Sequence, residues 1–99
     1  MTIEELKAKY PSSDIWTLTV KNKKGESITV HLREMDRIAY KTVSALIAKD
    51  EMMGVESFLN TLCVDGDVKE ITQDFTALRN AAVTILPMLT AEAGELKKN

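Results

Sequence analysis

The stretch IWTLTVKNKKGESITVHLR, residues 15–33, decides the fold of this chain. Apolar residues alternate with polar ones on both sides of its polar centre, and the apolar set is Trp16, Leu18, Val20, Ile28, Val30 and Leu32. Period-two alternation of β-branched and aromatic residues is typical of half-buried strands, and two such runs in succession predict a β-hairpin. The register that pairs Trp16 with Leu32, Leu18 with Val30 and Val20 with Ile28 places this whole set on one face. It leaves Lys23, Lys24 and Gly25 as a tight loop, in which glycine takes the left-handed position at the lowest cost.

A hairpin alone is not stable in water, so another element has to cover its apolar face. The rest of the chain predicts three helices with an apolar stripe each. The first runs from an N-cap at Asp36 to about residue 49, with Met35, Ile38, Ala39, Val43, Leu46 and Ile47 inward. The second covers about residues 51–62, with Val55, Phe58, Leu59 and Leu62 inward, and ends in the turn Asp65-Gly66-Asp67. The third starts at an N-cap at Thr72, and its apolar stripe is Phe75, Leu78, Ala82, Ile85 and Leu89. Pro87 lies inside this helix and predicts a kink or a restart there.

The start of the chain predicts a short helix over residues 2–10, because Thr2 and Glu5 have capping-box spacing and Pro11 ends the segment. The predicted fold class is therefore α+β. A short N-terminal helix and a two-stranded antiparallel hairpin pack against a three-helix C-terminal layer. The chain is expected to be one domain, with an arm at 1–14, the hairpin at 15–33, helices at 36–91 and a polar tail at 92–99.

Composition favours a small globular protein of a reducing cytoplasm. The 99 residues are 44% hydrophobic and 28% charged, and the formal net charge is −2. Cys63 is the single cysteine, so no intramolecular disulfide forms, and its apolar surroundings predict a buried, inert thiol. Glu4 and Glu5 interrupt any signal-peptide core, and the longest charge-free run, 80–91, is too short for a bilayer.

The residue inventory disfavours catalysis, cofactors and metals. His31 is the single histidine and falls on the solvent side of the second strand, while Cys63 lies on another element, so a Cys–His pair is not expected. One histidine and one cysteine cannot supply a structural zinc site. The four glycines never cluster, so no phosphate-binding loop is expected, and Lys21, Lys23 and Lys24 are too few to predict nucleic-acid binding.

What remains is contact with another protein. Met52 and Met53 are adjacent on one helix, so one of them should be exposed, and Met88 lies in an uncharged stretch. Thr17 and Thr19 lie on a strand that can be the open edge of the sheet, where a second copy or a partner's segment can add. We therefore expect these five residues to contribute to a partner-binding surface, and no small-molecule substrate.

Three segments carry a family resemblance: LREMDR at 32–37, LNTLCVDGD at 59–67 and EAGELKK at 92–98. This order resembles small proteins encoded near the tail genes of tailed phages and prophages, described as tail assembly chaperone-like. The family pattern has a proline where Met35 stands and an aromatic residue where Val64 stands. The resemblance implies a non-enzymatic helper that binds an elongated tail protein, in the host cytoplasm or associated with the virion. The alternative is a small regulatory or antitoxin-like adaptor that binds a host protein as a dimer.

Overall fold

The computed structural model describes residues 1–89 and Lys98 and confirms the α+β class. In chain order its elements are α1 (Ile3–Lys9), β1 (Ile15–Lys21), β2 (Ser27–Arg33), α2 (Arg37–Lys49), α3 (Glu51–Leu62), β3 (Cys63–Asp65), α4 (Val68–Thr72) and α5 (Phe75–Leu89). The predicted polar tail at 92–99, Lys98 apart, and the last two residues of the predicted helical region at 36–91 lie outside the described residues.

The hairpin forms in the predicted register. Trp16 pairs with Leu32, and Val20 pairs with Ile28. The Asn22 N–H donates to the carbonyl of Glu26 at 2.9 Å and closes the loop. Gly25 has a φ of 80° in open surroundings, so its place in the turn depends on the conformational freedom of glycine.

The sheet has three strands, so the prediction of a two-stranded hairpin was incomplete. β3 pairs antiparallel with β2 on the side away from β1, with His31 opposite Asp65 and Leu32 opposite Cys63 across an irregularity in the register. β3 follows α3 directly and satisfies backbone groups of β2 that the hairpin leaves free. A strand of only three residues shows no alternation in the sequence, which is why the pattern did not predict it.

Helices α3 and α5 pack against each other and cover the apolar face of the hairpin. The contiguous core takes in five of the hairpin's apolar side chains and the predicted inward residues of α3; its members are Leu18, Val20, Ile28, Val30, Leu32, Ala39, Val43, Val55, Phe58, Leu59, Leu62, Ile71, Ala77, Leu78, Ala81, Ala82 and Ile85. Two predicted inward residues were wrong, because Ile38 is 80% exposed and Phe75 is 71% exposed. Each belongs to the first turn of its helix.

The helix boundaries follow from side-chain caps. Asp36 caps α2 as predicted, and Asp50 both ends α2 and caps α3. Up to Leu89, the C-terminal layer holds four helices instead of the three predicted, since Asp67 caps the additional short helix α4.

The predicted N-cap at Thr72 was wrong. Thr72 is the last residue of α4, and the Asp74 carboxylate instead accepts from the Ala77 N–H at 2.9 Å at the start of α5. Pro87 does not restart the helix, which runs through to Leu89. Proline near the end of the described helix removes only one hydrogen bond of the last turn.

Helix α1 is capped by Thr2, whose hydroxyl oxygen accepts from the Glu5 N–H at 3.1 Å. The helix contacts β1, and the Met1 ammonium lies 3.5 Å from the Asp65 carboxylate in β3. The arm therefore lies across the sheet. Leu6 is fully buried yet lies outside the contiguous core.

Candidate protein-binding site

Trp16 is the one hairpin residue whose predicted burial was wrong. Trp16 pairs with Leu32 as predicted, which places it on the core face, but its side chain is 52% exposed. Trp16 lines an apolar groove together with Ile85, Met88 and Leu89 of α5. A half-exposed tryptophan on a core face is unusual, because this side chain has the largest apolar area of all.

The groove, which we call the Trp16 groove, has a volume of about 220 Å³ and an almost entirely apolar wall. It lies between one end of the hairpin and the α3 and α5 helices, and is lined by Trp16, Thr17, Leu18, Leu32, Arg33, Glu34, Met35, Phe58, Leu62, Thr84, Ile85, Met88 and Leu89. Buried core residues form its floor. Its rim is formed by Trp16 and by Met88, which is 56% exposed, with the half-buried Met35 and Leu89 between them.

The polar end of the groove is held by backbone contacts. The Glu34 N–H donates to the hydroxyl of Ser13 at 2.8 Å, which ties the β2–α2 link to the segment before β1. The Arg33 guanidinium lies 3.5 Å from the Asp36 carboxylate and is partly exposed. A surface ion pair of this kind contributes little to stability, so this end offers one cation and one anion at the mouth of an apolar site.

The structure brings two of the five predicted site residues together. Met88 and Thr17 both line the Trp16 groove. Thr19 does not, and its hydroxyl lies 3.0 Å from that of Thr29 on the outer face of the sheet. Met52 and Met53 lie in the first turn of α3, where Met52 is half-buried against the core and Met53 is 50% exposed, and neither lines the groove.

The sequence reasoning missed Trp16, Met35 and Leu89 as site residues. Trp16 and Leu89 had been assigned to the core from their periodicity, which defines a face but not the length over which a neighbour covers it. A signal existed for Trp16, because it is the first apolar residue of the face and follows directly on the polar link at residues 11–14.

A second, more open groove of about 540 Å³ lies on the other side of α5. It is lined by Tyr40, Ser44 and Ile47 of α2, Glu51 of α3, and Leu86, Pro87 and Leu89 of α5. Leu89 is shared by both grooves, so apolar surface continues around this part of α5. Its wall is far more polar than that of the Trp16 groove, which makes it the weaker candidate for an apolar ligand.

The titratable groups near the sheet are not arranged for nucleophilic chemistry. His31 Nδ1 lies 3.1 Å from the Thr17 hydroxyl, opposite Thr17 as the register predicted. Cys63 is half-buried in β3, not fully buried, and its thiol donates to the Asp65 carbonyl at 3.3 Å. Burial raises the pKa of the Cys63 thiol, with a further contribution from the nearby Asp65 and Asp67 charges. The thiol is therefore protonated near neutral pH, unlike a reactive cysteine.

Within residues 1–89 and Lys98, no group of three His, Cys, Asp or Glu side chains is placed to hold a metal ion. In the same part of the chain, no helix combines the length and apolarity that crossing a membrane requires. Comparison of the chain with protein-family models, with characterised proteins and with solved structures found no match.

Proposed function

We propose that this protein is a non-enzymatic phage or prophage tail-assembly helper that binds an elongated tail protein through the Trp16 groove. It acts stoichiometrically, by staying bound to exposed apolar surface of the tail protein until that surface is used in assembly. No covalent bond is made or broken.

The observation that carries the proposal is the half-exposed pair Trp16 and Met88 on the rim of an apolar groove. A large apolar group left in water is a typical anchor for a partner, and tryptophan is strongly enriched among the residues that dominate interfaces. Methionine adapts its shape to different partners, which suits a protein that covers an irregular apolar surface.

The magnitude is sufficient for a useful interaction. Half of a tryptophan side chain is about 125 Å² of apolar surface, so covering the exposed half of Trp16 contributes roughly 3 kcal/mol at about 25 cal/mol per Å². Part of this free energy is offset by the translational and rotational entropy that the two molecules lose on binding. A loss of even half of the contribution weakens binding about tenfold.

The experiment compares three forms of the tagged chain in prophage-induced or phage-infected cells: wild type, Trp16→Ala and Phe75→Ala. Phe75 is the matched control, because it is an exposed aromatic residue outside the groove. The wild type and Phe75→Ala should recover a tail protein, and Trp16→Ala should recover about tenfold less while keeping its circular dichroism spectrum. Equal recovery with Trp16→Ala would reject the groove as the binding site.

One observation favours the second function, a small regulatory or antitoxin-like adaptor that acts as a dimer. β1 is an edge strand of seven residues, and such an edge is suited to pairing with another strand. Recovery of a host enzyme or a toxin in the same experiment, in place of a tail protein, would favour the adaptor over the tail-assembly helper.

A further inference from the structure

The two edges of the sheet differ in what they offer a further strand. The β3 edge is three residues long and irregular in register, which discourages pairing. The β1 edge is seven residues long and regular throughout. β1 is therefore the edge suited to strand addition.

The direction of each backbone group on β1 follows from the hairpin. The Asn22 N–H bonds to the Glu26 carbonyl at 2.9 Å, so Asn22 faces β2. Successive residues of an antiparallel strand alternate between bonding to their partner and facing away. Ile15, Thr17, Thr19 and Lys21 therefore direct their backbone N–H and C=O groups away from β2.

Helix α5 occupies one end of this edge. The Asn80 side-chain amide donates to the Lys21 carbonyl at 2.9 Å, and the Asp74 carboxylate accepts from the Lys23 N–H at 3.3 Å. In the described part of the chain, no such contact is made by the outward backbone groups of Ile15, Thr17 and Thr19. The open part of the edge thus runs from Ile15 to Thr19, with Thr17 at its centre.

We propose that β1 of one copy pairs antiparallel with β1 of a second copy about a two-fold axis at Thr17. Thr17 lies opposite the same residue of the second copy, and Ile15 lies opposite Thr19. These pairs exchange about six backbone hydrogen bonds, since each hydrogen-bonded pair exchanges two. The next register along the strand would place Ile15 opposite Lys21, where the Asn80 side chain already occupies the edge.

The chemistry of β1 favours a second copy over another strand. The free backbone N–H and C=O groups of β1 are arranged symmetrically about Thr17. The same edge of a second copy, turned by a two-fold rotation, therefore presents matching donors and acceptors, as a two-fold interface requires. In this register Trp16 lies opposite Leu18 of the second copy, so the core faces of the two sheets continue into each other across the interface.

The pairing uses backbone groups of Ile15, Thr17 and Thr19, so the side chains of the groove rim are left to the proposed partner. The proposal is tested on the purified chain alone. Its outcome therefore does not depend on whether a tail protein binds the groove.

Light scattering after size exclusion should give the mass of a dimer for the wild type. Thr17→Pro removes an outward N–H without removing a bond to β2, and it should halve the mass. Lys21→Pro is the matched control, because it makes the same change on the same strand outside the paired segment, and it should stay dimeric. A monomeric wild type at millimolar concentration, or a dimeric Thr17→Pro, would overturn the proposal.

Cysteine cross-linking tests the register and does not depend on how the proline variants fold. In a Cys63→Ser background, Thr17→Cys places two thiols on residues about 5.5 Å apart between Cα atoms, within the range for a disulfide. Thr19→Cys places them about 13 Å apart along the strand direction. Oxidation should cross-link the Thr17→Cys form at least tenfold more than the Thr19→Cys form, and the reverse order would refute the register.

Discussion

Gly54 of α3 lies against Ile47 of α2, and replacing it with alanine should separate the two helices. A Cβ built at Gly54 would lie 2.8 Å from the Ile47 backbone nitrogen and 2.9 Å from its Cα, and would also collide with the Ile47 side chain. A side chain can rotate away from such a clash, but backbone atoms cannot move without shifting the whole of α2. Overpacking of this kind costs about 1–3 kcal/mol, and the backbone clash places Gly54→Ala at the upper end.

Helix propensity acts in the opposite direction. Alanine is about 1 kcal/mol more favourable than glycine inside a helix, so the net destabilisation expected for Gly54→Ala is about 2 kcal/mol. Urea unfolding followed by circular dichroism measures this as a lower midpoint. Asn60→Ala, an exposed position on the same helix, is the control and should raise the midpoint slightly. A Gly54→Ala protein as stable as the wild type would refute the close approach of the two helices.

Three further changes test the core, the α5 cap and the thiol. Leu59→Ala removes a fully buried side chain, should cost about 2–5 kcal/mol and is measured by the same urea titration. Hydrogen bonds from the Ala77 N–H, and secondly from the Lys23 N–H, hold the pKa of Asp74 below its usual range. The charged Asp74 carboxylate therefore stabilises the folded protein fully at pH values above its pKa in the unfolded state. This stabilisation is lost as the pH falls through the pKa of Asp74 in the folded state. Asp74→Ala should therefore lower the midpoint at pH 7, with the difference from wild type vanishing in acid; a constant difference would argue against a charged cap. Cys63 should be alkylated severalfold more slowly in the folded protein than in urea at pH 8, because burial raises its pKa, and equal rates would contradict its burial in β3.

The hairpin could be predicted in full register because its information is local. The alternating residues define one face, and Gly25 defines the turn, so a shift by one residue would expose every apolar side chain. The cap at Asp36 was equally local. Asp74 was missed because Thr72 offered a competing cap two residues earlier, and the sequence does not show that α4 already uses Thr72 as its last residue.

The candidate site could be predicted only in part, since it depends on how far one element extends over another. Met88 and Thr17 were named from their residue type and strand position, and both line the groove. Trp16, Ile38 and Phe75 carry the same periodic signal as buried residues, yet each lies where no neighbour covers it. Periodicity assigns a residue to a face, whereas burial is decided by the packing of other segments.

The fluorescence of Trp16 tests the central claim most directly, because it is the only tryptophan in the chain and lies on the rim of the proposed binding groove. This protein is held at a fixed concentration and titrated with a tail protein recovered from induced cells. The tail protein must either contain no tryptophan or carry substitutions at all of its tryptophan residues. The emission maximum should move to shorter wavelength in proportion to the complex formed, since the exposed half of the ring leaves water. A complex that forms with no change in the emission of Trp16 would contradict it.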